Sequence, residues 1–149
     1  MPTILQSLKS TPLQTSELVA PVEIYTGTIP DNAELIAVGW SIQAKDNKSS
    51  ANDLKAAKLR VGGRIECSTY DALYTGANSP RICTLSKSAP DNATCKGDLG
   101  SGALTVVDGK LYLVGVDSHP NDSACGGSAG YTQFTNVNNY QSFISQYLN

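Results

Sequence analysis

A single histidine, a single tryptophan, a single methionine and two phenylalanines are all that 149 residues hold of those types, and only 16 % of the chain is charged. Each scarcity excludes something. One imidazole, His119, rules out a metal centre or proton relay built on several histidines, and the sequence implies no metal and no cofactor. A formal charge of −2 without acidic or basic blocks gives no electrostatic basis for binding nucleic acid or an anionic membrane. No apolar run approaches the roughly 18 residues that a membrane-spanning helix needs. Val61-Gly62-Gly63-Arg64 lacks the spacing of a phosphate loop and reads as a turn or bulge. Glu23, Glu34 and Glu66 are too scattered to form a glycosidase pair. The tyrosines do not alternate with basic residues as a nucleic-acid platform would require. The opening Met1-Pro2-Thr3 leads straight into I-L-Q-S-L, with neither a basic region nor a long apolar one, so Met1 reads as the start of a mature or trimmed chain.

What is present suits one domain, 1–149, long enough to bury its own core. Cys67, Cys83, Cys95 and Cys125 lack the paired C-x-x-C spacing of zinc sites, and their even number implies two disulfides in an oxidising compartment. Spacing alone leaves three pairings open. Triplets at Asn47, Asn92 and Asn121 match the N-glycosylation acceptor pattern. A secreted, extracellular protein is the expectation.

The texture is all-β: short apolar runs between clusters of Gly, Asn, Asp, Ser and Pro. The best strand is Glu34 to Ser41, entered from the Pro30-Asp31-Asn32 turn. The best hairpin joins Ala103–Val107 to Lys110–Val116 through Asp108-Gly109, a pair suited to a type I′ turn. Further strands are expected around Pro21–Ile24, Lys58–Val61, Arg81–Thr84 and Gln133–Val137, with a short helix around Ser68–Tyr74. Tyr140, Phe143, Ile144, Tyr147 and Leu148 recur at helical spacing, so an amphipathic helix capped by Asn138 or Asn139 ends the chain.

Against this background Cys95 to Gly102, C-K-G-D-L-G-S-G, carries the most information. Gly97-Asp98-Leu99-Gly100-Ser101 resembles the G-D-S-G-G nucleophile loop of trypsin-like serine proteases, with Cys95 two places upstream. Gly115 to Pro120 and then Cys125 resemble that family's G-I-V-S-W-G pocket strand and its following cysteine. Phe134 to Val137 resembles its G-V-Y-T-x-V strand, Asn139 to Ile144 its N-Y-x-x-W-I helix, and Gly39-Trp40-Ser41 its G-W-G strand. The opening I-L-Q-S-L-K-S resembles the linker after the catalytic aspartate. The likeness runs from about Pro2 to Leu148 and covers the C-terminal half of such a protease. It implies a single six-stranded antiparallel Greek-key barrel with a C-terminal helix, and disulfides Cys67–Cys83 and Cys95–Cys125.

The resemblance in fold does not extend to the catalytic groups. The mechanism needs a hydroxyl nucleophile, an imidazole and an orienting carboxylate. Leu99 stands at the nucleophile position, no histidine precedes His119, and the aspartate position falls on Met1 or Pro2. The expectation is a catalytically degenerate homologue. A rebuilt site using Ser101 and His119, or one chain of a two-chain protease, is the alternative. His119, Pro120 and Ala93 fall on vestigial pocket positions; Pro120 has no N–H to offer a substrate, and Ala93 replaces the acid that receives Lys or Arg in trypsins. Asp98, without the α-amino group that meets it in active family members, is expected to be solvated or to accept backbone N–H groups. Such homologues act by recognition, among them carriers, cofactors of proteolytic cascades and the glucanase-inhibitor proteins of oomycetes, with which Leu99 and the Asn- and Ser-rich loops are compatible. A lone barrel would also expose the apolar face that its companion covers, near residues 1–8 and 89–102, so a protein partner, such as a hydrolase, or self-association is expected.

Overall fold

The computed structural model describes residues 16, 19–40, 53–85, 94–95, 97–119 and 131–147. Alternation writes the strands. In β2 (Glu34–Gly39) Leu35 and Ala37 are buried while Ile36 and Val38 are only partly so, the period-2 pattern of a sheet with one face on a core. It runs antiparallel to β3 (Lys55–Val61), with Glu34 opposite Arg60 and Gly39 opposite Lys55. Around these lie β1 (Glu23–Ile24), β4 (Arg81–Leu85), β5 (Gly102–Val107), β6 (Lys110–His119) and β7 (Tyr131–Asn136).

The β5–β6 hairpin has the expected turn. Asp108 and Gly109 adopt φ of 51° and 78°, the left-handed pair that a type I′ turn demands. One edge of β6 then serves two neighbours. Its first half pairs in parallel with β1 at Tyr112 and Leu113, and its second half pairs antiparallel with β7 from Gly115 to His119. The second pairing closes β6-β5-β2-β3-β4-β7 into a six-stranded antiparallel barrel, the fold that the sequence implied. Two bulges bend β6 toward closure: Val114 is the extra residue opposite Ala103–Leu104, and Ser118 is the extra residue opposite Gln133–Phe134.

The core gathers Leu35, Val61, Ile82, Ala103 and Val114 around Phe134, all within the barrel. Gly115 is needed there, because a Cβ would stand 2.9 Å from Phe134 Cβ and 3.1 Å from the Thr135 carbonyl. A second cluster, Cys67, Tyr74, Cys83 and Leu85, surrounds the Cys67–Cys83 disulfide, which forms as the resemblance implied. The Tyr74 hydroxyl donates to the Gly62 carbonyl at 3.3 Å, and burial pushes this phenol up to about 12. Asp71 ties β4 to β7, accepting from Arg81 at 2.6 Å, from Gln133 at 2.8 Å and from the Leu73 amide at 3.0 Å. Burial works to raise the Asp71 carboxyl, but these donors and the Arg81 charge outweigh it and hold it below its ordinary range.

Both helical segments form, the C-terminal one where expected, but with other starts and caps than predicted. The first, α1 (Arg64–Ser68), begins four residues earlier than the predicted one, because the Glu66 carboxylate caps its start by accepting the Gly63 amide at 3.2 Å and also holds Arg60. Residues 69–80 are turns and coil. At the C-terminus a 3₁₀ turn (Val137–Tyr140), α2 (Gln141–Ile144) and a second 3₁₀ turn (Ser145–Tyr147) replace a continuous helix. The cap is Asn136, whose side chain accepts the Asn138 amide at 3.1 Å, whereas Asn138 spends its own oxygen on Gln141.

Candidate functional site

The loop between Cys95 and β5 is built from two tight turns. Asp98 N–H donates to the Cys95 carbonyl at 2.9 Å and Ser101 N–H to the Asp98 carbonyl at 2.8 Å. Gly97 (φ 106°) and Gly100 (φ 86°) sit where L side chains are strained, which explains why glycines occupy those two positions. The loop is pinned to β6 from both sides: Gly100 donates to the Asp117 carbonyl at 2.9 Å and Asp117 donates to the Ser101 carbonyl at 2.8 Å. Thr94, hydrogen-bonded to Thr132 at 3.0 Å, ties the segment before Cys95 to β7.

Side chains then divide sharply. Leu99, at the position the resemblance assigned to the nucleophile, is 59 % exposed. Ser101 Oγ is buried, with no hydrogen-bond partner among the described residues. Asp98 itself is 6 % exposed, which corrects the solvated reading. It does accept a backbone group, the Cys95 amide, at 3.0 Å through Oδ2, while Oδ1 has no partner. The carboxylate fits because Gly39 ends β2 there: a Cβ on Gly39 would overlap Oδ1. The chain neighbours of this contact, Trp40 and Leu99, are both more than half exposed.

Asp117 is a site residue that the sequence reading missed. It lies on β6 against the nucleophile loop, 3 % exposed and paired with Phe134 in the barrel register. The signal was available, since the pocket-strand pattern it resembles carries valine at that place. His119 closes β6 opposite Gln133, so it shares a strand with Asp117; the position of its side chain lies outside the described residues. So do Ala93, Pro120, Cys125, the segment 1–8 and the acceptors Asn47, Asn92 and Asn121. Cys95 is disulfide-bonded. Among the described residues no cluster of three His, Cys, Asp or Glu side chains could hold a metal ion, and no helix is long and apolar enough to cross a membrane.

A barrel closed by β6 on β7, a glycine-framed acid loop pinned to β6 and the Cys67–Cys83 bridge form one pattern, and the family model for trypsin matches residues 5–144. The chain belongs to the trypsin family. In this trypsin-family domain the loop after Cys95 has two tight turns, a buried acid at Asp98 and an exposed leucine beside it. Asp98 and Gly39 are the pair that preserve the loop's shape, while Leu99 and Trp40 are the side chains it offers to solvent.

Proposed function

We propose that this chain is a non-catalytic serine protease homologue, a secreted module that binds another protein through the face presented by its degenerate nucleophile loop. One observation carries the reading: Leu99 stands exposed at the loop's apex while the nearby hydroxyl, Ser101 Oγ, is turned inward and buried. Acyl transfer needs a nucleophile in reach of both substrate and base. Leu99 has no nucleophilic atom, and Ser101 would have to leave its buried position to act as one.

An exposed leucine and tryptophan beside a buried, backbone-anchored acid have the composition of an interface centre, where aromatic and aliphatic anchors supply most of the binding energy. The Cys67–Cys83 disulfide supports an oxidising, extracellular setting, in which Asn47, Asn92 and Asn121 would be glycosylation acceptors. A hydrolase is the partner class that the family's inhibitory members suggest, and a pathogen effector role follows from the same likeness.

The test is labelling with a broad fluorophosphonate serine-hydrolase probe, read by intact mass, on the wild type and on Ser101→Ala. The expected result is no mass addition to either. Stoichiometric labelling that disappears in Ser101→Ala would overturn the reading and make Ser101 a nucleophile. The binding arm uses immobilised chain against extracellular hydrolases, with retention expected to fall at least tenfold in Leu99→Asp and Trp40→Ala.

A further inference from the structure

We infer that Tyr70 and Tyr131 form an oxidative cross-linking site, where a one-electron oxidant of the peroxidase and hydrogen peroxide class joins the two phenol rings by a carbon–carbon bond. Their ring centroids stand 4.9 Å apart, with the planes tilted by 30°. That is little more than the separation of two directly bonded rings, which two ring radii and one carbon–carbon bond determine. Tyr25 and Tyr112 also meet, but edge to face at 6.2 Å and 62°, with Lys110 over the Tyr112 ring.

The scaffold holds the two rings together although they are far apart in sequence. Tyr70 follows α1, and its amide donates to the Cys67 carbonyl at 3.0 Å. The Cys67–Cys83 disulfide fastens that turn to β4, where Leu85 is the register partner of Tyr131. Asp71, the next residue, reaches β7 by accepting from Gln133 at 2.8 Å, two places beyond Tyr131. Access and competition point the same way. Tyr70 is 41 % exposed, so an oxidant meets its phenol from solvent. No described cysteine is a free thiol that would consume the oxidant first, and the disulfide itself suits an oxidising setting. The chemistry balances. Two phenols give up two electrons and two protons, which reduce one hydrogen peroxide to two waters. The phenoxyl radicals couple at ring carbons ortho to the oxygens, and the two displaced ring hydrogens return to the phenol oxygens. The product has lost two hydrogen atoms, and the new bond fastens the coil 69–80 to β7.

This site depends neither on Leu99 nor on the binding reading, so the two fail independently. The experiment treats the disulfide-intact chain, kept dilute, with a haem peroxidase and hydrogen peroxide. Intact mass, dityrosine fluorescence and peptide mapping are read on the monomer. The expected product is a monomer lighter by two hydrogen atoms, with the peptides of Tyr70 and Tyr131 joined. Its fluorescence is expected to fall to background in Tyr70→Phe and in Tyr131→Phe, and to persist in Tyr112→Phe. Phenylalanine keeps the ring and removes only the hydroxyl, so all three variants should match the wild type by circular dichroism. A treated wild-type monomer without the cross-link would overturn the inference, as would a cross-link that maps to other tyrosines or persists in both variants.

Discussion

Gly39 and Asp98 are 59 positions apart in sequence and compete for one small volume: the carboxylate occupies the place where a Cβ on residue 39 would lie. Gly39→Ala should cost about 1–3 kcal/mol as an overpacked site. Asp98→Ala should also destabilise, by freeing the Cys95 amide that Oδ2 accepts. The double variant removes the clash, so its loss should be smaller than the sum by about 1 kcal/mol or more. Urea midpoints of the four proteins measure this, and strict additivity would sink the account. A second residue-scale expectation concerns acid. Asp71 is held below its ordinary pKa by donors that outweigh its burial. Its contribution is therefore complete above the unfolded value of about 3.9 and lost as pH falls through the lower folded value. Asp71→Asn should flatten stability in that window, read from urea midpoints between pH 5 and 2. The same residues show what the sequence made legible. The positions of the two loop glycines could be read from the local pattern. The burial of Asp98 could not, because a distant glycine creates its cavity.

Strands were more legible than helices, because alternation marks β2 and the β5–β6 hairpin wherever a core face exists. The helix predicted near Ser68 shifted to Arg64 because its start is set by Glu66 reaching back to Gly63 and Arg60, a local capping contact that the apolar pattern does not mark. Beside that helix the Cys67–Cys83 disulfide closes a separation of 16 residues and carries Tyr74 in its cluster. Replacing both cysteines by alanine should cost about 3 kcal/mol on loop-closure grounds. Tyr74 makes the element sensitive to alkali. Its phenol is pushed up to about 12 by burial, from 10.0, so the folded chain holds the proton more tightly than the unfolded one. Stability is then complete below pH 10 and falls as pH rises toward 12, by about 2 kcal/mol from this group. Tyr131 is raised in the same direction, by burial first and then by the charge of Asp71. Tyr74→Phe should lose about 1 kcal/mol at neutral pH with its hydrogen bond to Gly62, yet show a shallower decline between pH 10 and 12. Urea midpoints across that range decide it, and an equally steep decline in the variant would discard Tyr74 as the cause.

At the scale of the whole molecule, closing β6 on β7 gives the chain a core of its own and a loop whose shape does not depend on its apical side chain. Gly97, Gly100 and the backbone bonds to Asp117 hold the turn, and Leu99 contributes none of them. Leu99→Ser should therefore fold as the wild type does and present a hydroxyl at the family's nucleophile position. Activity should not follow. The sequence holds one histidine, His119, at the end of β6 and two residues beyond Asp117 along the same strand. A serine reacts as an ordinary alcohol unless a base is held beside it, and a protease stripped of any triad member loses most of its rate. Leu99→Ser is thus expected to stay unlabelled by a fluorophosphonate and to hydrolyse no ester above background, with an unchanged urea midpoint within about 0.5 kcal/mol. Labelling of Leu99→Ser that is abolished by a further His119→Ala would overturn this expectation and show that β6 supplies a working base. Absence of labelling in a folded variant would show that a hydroxyl at position 99 is not by itself enough to make this loop a nucleophile.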